Sequence, residues 1–155
     1  MGDLNDVVAA LRADHGEQAV PGFDPKNGNE DAKILLILET PGPGAVRSRY
    51  VSMTNDDPTA HNMRRQLVDE AGLAFRDVAL WNIVPWYVGD PSFRRARADT
   101  ADEIRAGAAT LRPVLDAMPC LAACRSDVAI RSHHRSRFRS LSAVSASASA
   151  SKRFA

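Results

Sequence analysis

A chain of 155 residues with 20 Lys or Arg against 19 Asp or Glu has the length of one domain with a single core, which sets aside multidomain readings. No apolar run is long enough to cross a bilayer, so no membrane partner is expected. The near-neutral total hides an imbalance: from Arg125 onward seven Lys or Arg stand against the single acid Asp127, leaving thirteen basic and eighteen acidic residues before them, an acidic body that is mildly unfavourable for a nucleic-acid partner.

The N-terminal segment Met1 to Asp6 is acidic and lacks the basic and apolar regions of a signal peptide, which points to a cytoplasmic protein. Leu4, Val7, Val8 and Leu11 recur at helical spacing and predict a short amphipathic helix over Leu4 to Ala13. Gly16 to Asp31, rich in Gly, Pro, Asn and Asp, reads as loop. Lys33 to Leu38 reads as a fully buried strand, ended at once by Glu39-Thr40-Pro41-Gly42-Pro43-Gly44. Asp57 suits the N-cap and Pro58 the first position of the next helix, with a stripe of Met63, Leu67, Val68 and Ala71 and a stop at Gly72. Asp77 to Asn82 is a second buried strand, running on into Ile83-Val84-Pro85-Trp86. Thr100 caps a third helix from Ala101 to about Met118; Asp102 and Glu103 sit at its positive end, and Pro113 should kink or split it. Cys120 and Cys124 are too few for an iron–sulfur cluster or a structural zinc site. His15, His61, His133 and His134 show no ligand spacing, so neither a metal nor another cofactor is expected.

Helix, strand, helix, strand, helix in that order implies a layered α/β domain with a central, mostly parallel sheet. Right-handed crossovers put both strand ends on one side, the edge where ligands bind in open α/β sheets. A carboxylate, Glu39, and a carboxamide, Asn82, then face one cleft. The same topology calls for at least one more strand after Met118, which the sequence does not supply convincingly, so the sheet is expected to be incomplete at its C-terminus. The domain is drawn over residues 1–124. Residues 125–155 are about two-thirds Ser, Ala or Arg and end in the alternation Ser145 to Ser151; with so few large apolar groups they read as a disordered basic tail. A native tail that attracts DNA and a frame-shifted end replacing a structured terminus are both open.

From about Pro21 to Met118 the chain resembles the uracil-DNA glycosylase superfamily. Leu38-Glu39-Thr40-Pro41-Gly42-Pro43 is similar to a first family motif in which a strand ends in an acidic or amide residue before Pro-Gly. Trp81-Asn82-Ile83-Val84-Pro85-Trp86 resembles the strand end where the family places an asparagine that reads uracil, and Ser52 to Ala60 resembles a segment of a bacterial branch. The resemblance implies a three-layer α/β/α fold and hydrolysis of the N-glycosidic bond of deoxyuridine in DNA, as in base excision repair. One branch with a similar first motif holds a four-cysteine cluster, which two cysteines cannot supply, so the resemblance is to a cluster-free branch.

The chemistry agrees with those residue types. Breaking a glycosidic bond builds positive charge on the sugar and negative charge on the departing base, so a carboxylate near the sugar, Glu39, can stabilise the cation and orient water. A carboxamide offers a donor and an acceptor side by side, matching the O4 and N3–H edge of uracil, and Asn82 is the candidate. A flipped base also needs an aromatic face; Tyr50 is the nearest, with Phe23 and Trp86 as alternatives. The loop Thr40, Pro41, Gly42, Pro43 and Gly44 would shape the pocket and approach phosphate through the Gly42 and Gly44 amides. Arg47 with Arg49, Arg64 with Arg65, and Arg94, Arg95 and Arg97 are local basic clusters that can serve DNA contact.

The family's late His-Pro-Ser-Pro-like loop has no counterpart; His134-Arg135-Ser136 lacks both prolines. A glycosylase-like protein with impaired or absent activity in this form is therefore expected. An inactive relative that binds damaged or single-stranded DNA through the same cleft, and a nucleoside or nucleotide binder, are the alternatives.

Overall fold

The computed structural model describes residues 3–119. Helix α1, Leu4–His15, begins at a reciprocal cap: the Asp3 carboxylate accepts the Asn5 N–H at 2.9 Å, and the Asp6 carboxylate accepts the Asp3 N–H at 3.3 Å. The helix ends at Gly16, where φ is +96°. Four strands follow in chain order: β1 (Gly22–Phe23), β2 (Ile34–Leu38), β3 (Tyr50–Val51) and β4 (Val78–Asn82). They form two parallel pairs, β1 with β3 and β2 with β4, the latter in a register that sets Ile34 beside Val78 and Leu38 beside Asn82.

Helices cover both faces of the β2–β4 pair, as the α/β order requires. Alternation along the strands sends Leu35, Ala79 and Trp81 into a cluster with Leu4, Val8 and Leu11 of α1. Leu36, Leu38, Val78 and Leu80 go to the other face, where they meet Met63 of helix α3 (Pro58–Arg64) and Leu67 and Val68 beyond it. Asp57 caps α3 by accepting the Ala60 N–H at 3.0 Å, with Pro58 in the first turn. The helix does not run on to Gly72 in one form: it widens into a π-helical segment, Arg65–Glu70, before Gly72 ends it at φ +69°. The third predicted helix is two, α4 (Ala101–Ala109) and α5 (Leu111–Asp116). The break falls at Thr110, and Pro113 sits in the first turn of α5, where its missing N–H removes no helical bond.

One expectation is corrected. β4 is buried at every position, but β2 is only partly buried and Ile37 is 43% exposed. Among the described residues β2 pairs along one edge alone, so the shielding that a second neighbour gives a central strand is missing there. The further strand predicted after Met118, the tail 125–155, both cysteines, His133 and His134 lie outside the described residues.

Helix α4 reaches the segment after β4 through a glycine. A Cβ at Gly107 would stand 2.1 Å from the Ile83 carbonyl oxygen and 2.9 Å from the Val84 Cα. Gly→Ala inside a helix ordinarily gains about 1 kcal/mol from propensity. Here the obstacle is backbone, which cannot swing aside, so overpacking wins. Gly107→Ala is expected to destabilise the fold by roughly 1–3 kcal/mol, read as a lower midpoint in urea unfolding; an unchanged or raised midpoint would show that α4 does not press on this segment.

Candidate functional site

The parallel ladder continues past the regular strands. The Ile83 N–H donates to the Leu38 carbonyl at 2.8 Å and the Val84 N–H to the Glu39 carbonyl at 3.1 Å. Glu39 and Asn82 therefore stand at adjacent strand ends. The Glu39 side chain is exposed and forms no ion pair among the described residues.

Asn82 is in the opposite condition. It is 2% exposed, and its Oδ1 is buried with no hydrogen-bond partner among the described residues. An Asn that merely ended the strand would bond local backbone, and that bond is not made through this oxygen. Leaving a buried acceptor unpaired costs about 1–3 kcal/mol. The neighbouring Trp81 is core: it is 1% exposed and stacks on Phe23 with ring centroids 4.4 Å apart. That stack occupies Phe23 as well. Trp86, 8% exposed, belongs to the same core and stacks on His15 at 3.8 Å.

The loop after Glu39 is held at several points. The Thr40 hydroxyl donates to Asp99, with its oxygen 2.9 and 3.0 Å from the two carboxylate oxygens. Pro41 is buried. Gly42 caps the short helix α2 (Pro43–Ser48), and Pro43 occupies its first turn. A Cβ on Gly44 would meet the Asp57 carboxylate at 2.9 Å, whereas one on Gly42 would meet nothing within 4 Å. Gly44 is thus explained by a close approach to a carboxylate, which disfavours phosphate there; Gly42 alone keeps the open approach expected of both.

Tyr50 lies elsewhere. It lines a hollow of about 230 Å³ with Asp24, Lys26, Ser52 and Asn55, and neither Glu39 nor Asn82 borders that space. Buried Asp24 accepts the Ser52 hydroxyl and, at 2.9 Å, the Lys26 N–H. The structure therefore places Glu39 and Asn82 at adjacent strand ends with the Thr40 loop following Glu39, and Tyr50 lines a hollow that neither of them borders.

Two acids escaped the sequence reading. Asp99 adjoins the loop through Thr40; burial pushes its carboxyl up, the Thr40 hydroxyl opposes that, Glu103 adds to it and Arg97 opposes it. Asp90 organises the turn after β4: it accepts the Tyr87 hydroxyl at 3.0 Å, the Arg94 N–H at 2.9 Å and the Arg95 N–H at 2.5 Å, besides the Ser92 hydroxyl. The Ser92 bond and these amides hold its carboxyl well below the usual carboxylate range.

The basic clusters divide. Arg49 pairs with Glu17, Arg65 with Glu70 at 2.9 Å and Arg97 with Glu103 at 2.6 Å. Arg47, Arg64, Arg94 and Arg95 are exposed and have no carboxylate partner among the described residues. Arg94 and Arg95 share the Asp90 turn, closed by the antiparallel bridge between Gly89 and Ala96. Among the described residues no group of His, Cys, Asp and Glu is disposed to hold a metal ion, and no helix is long and apolar enough to cross a membrane.

No protein-family model matches the sequence, and no curated protein matches it.

Asn82→Val tests the unpaired oxygen without reference to any activity. Replacing it with a β-branched apolar side chain should raise stability by about 1 kcal/mol, read as a higher thermal midpoint; a fall of that size would mean that the carboxamide supports the fold.

Proposed function

We propose that the chain is a uracil-DNA glycosylase-like hydrolase, with Glu39 at the sugar and Asn82 at the base. The observation that carries this reading is the buried, unpaired Oδ1 of Asn82 at the strand end beside Glu39. A buried acceptor without a donor is complementary to the N3–H of uracil, and cytosine has no hydrogen at that position. In the reaction the C1′–N1 bond breaks with its electron pair passing to the base. The oxygen of a water bonds to C1′, and its proton is accepted at a Glu39 carboxylate oxygen or by solvent. The exposed carboxylate is open to water, and its charge opposes the positive charge that grows on the sugar.

The test is release of uracil from single-stranded and duplex oligonucleotides. Glu39→Gln should lower kcat by roughly a hundredfold with DNA affinity little changed; a matching loss of affinity would assign Glu39 to structure instead. Asn82→Asp should abolish the preference for uracil and admit cytosine, because an acceptor-only side chain suits the cytosine amino group. Unchanged selectivity would remove Asn82 from base reading.

A binding role without chemistry is the second reading, and it is favoured by Arg94 and Arg95, two exposed cations on one anchored turn. Under either reading they are candidate phosphate contacts. Arg94→Ala with Arg95→Ala should weaken binding of an oligonucleotide and reduce the salt slope by about 1.4 for a single strand. Binding with an unaltered slope would exclude this turn from the interface, and steep salt dependence with no base release would establish the binding reading.

A further inference from the structure

We infer that Asp99 is a positioning residue for Glu39, acting through the hydroxyl of Thr40. This inference rests on the proposed role of Glu39 but is carried by separate geometry. The main chain at Glu39 is held on one side by the Val84 N–H, which donates to the Glu39 carbonyl at 3.1 Å. On the other side the next residue is tied down by its side chain: the Thr40 hydroxyl hydrogen is shared between the two oxygens of Asp99, 2.9 and 3.0 Å away. Asp99 stands next to Thr100, the N-cap of α4, whose hydroxyl accepts the Glu103 N–H at 3.2 Å. The carboxylate that holds Thr40 is therefore mounted on a capped helix start.

Without that tie, the step from Glu39 to buried Pro41 would keep its backbone anchors but lose its side-chain hydrogen bond, and an exposed carboxylate there samples more positions. With it, the residues before and after the glutamate side chain are both fixed. A displacement of about 1 Å in a reacting group can lower a rate about a hundredfold, so an anchor that makes no contact with substrate still acts on turnover. Asp99 is also partly withdrawn from water, with Glu103 opposing its charge and Arg97 favouring it. A hydroxyl that donates to the charged form helps keep that carboxylate ionised in this setting.

The experiment compares wild type with Thr40→Val, Thr40→Ser, Asp99→Ala and the pair Thr40→Val with Asp99→Ala. Uracil release is followed as kcat and KM, and amide hydrogen exchange is followed at Gly42, Gly44 and Ala45. Thr40→Val and Asp99→Ala should each lower kcat about tenfold or more with KM for DNA unchanged, the pair should be no worse than either alone, and Thr40→Ser should restore turnover. The Gly42, Gly44 and Ala45 amides should exchange faster in the two impaired variants while those of α1 do not. A Thr40→Ser variant as impaired as Thr40→Val, or exchange at the loop equal to wild type in every variant, would overturn the inference. If wild type releases no uracil, the hydrolase reading falls, and the exchange measurement alone decides whether Asp99 holds the loop.

Discussion

The parallel pairing of β2 with β4 is the constraint from which the rest of the site follows. Its register sets Leu38 beside Asn82, and two further backbone bonds extend it to Glu39 and Val84. A slip of one residue would exchange the two faces of β4 and carry Asn82 across to the Trp81 side. The two apolar clusters prevent this, because Trp81 and Leu80 each fill a different face and cannot trade places.

What surrounds the pairing is a division between satisfied and unsatisfied polar groups. Asp24, Asp90 and Asp99 are buried or partly withdrawn from solvent, and each accepts hydrogen bonds that compensate it. Arginines near acids are paired on the surface, where such pairs contribute little to stability. Native interiors leave few such atoms unpartnered, and the bare oxygen of Asn82 is one that lies at the strand end beside Glu39. Asn27 at both amide atoms, Asn29 at its Oδ1 and Trp81 at its Nε1 are further cases, and nothing in the structure accounts for them.

The long elements were legible because their signals are local. The stripe of α1, the Asp57-Pro58 start of α3 and the Thr100 cap of α4 all depend on residues within one or two turns. The strands β1 and β3, two residues each, carry no periodicity to read, and β1 falls within the stretch Gly16 to Asp31 whose composition reads as loop. The π-helical segment left no trace because the spacing of Met63, Leu67 and Val68 serves an α-helix equally well. Glu39 and Asn82 were legible as strand-end residues. Asp99 was not, because its partner Thr40 lies 59 residues earlier and nothing local marks the pair. Nearness in sequence singles out Tyr50, but in the fold it lines a hollow that neither Glu39 nor Asn82 borders.

The separation between the two paired strands also bears on how the chain reaches this state. Each residue of β2 finds its partner in β4 44 positions later, so the loop-closure entropy must be met before the pairing returns any energy. Folds dominated by such distant contacts form slowly compared with helical bundles. During synthesis the run Ile34-Leu35-Leu36-Ile37-Leu38 emerges long before Val78 to Asn82 exists to cover it. The nascent chain therefore carries an uncovered apolar segment for an interval set by translation, which is the condition under which chaperones act and aggregation competes.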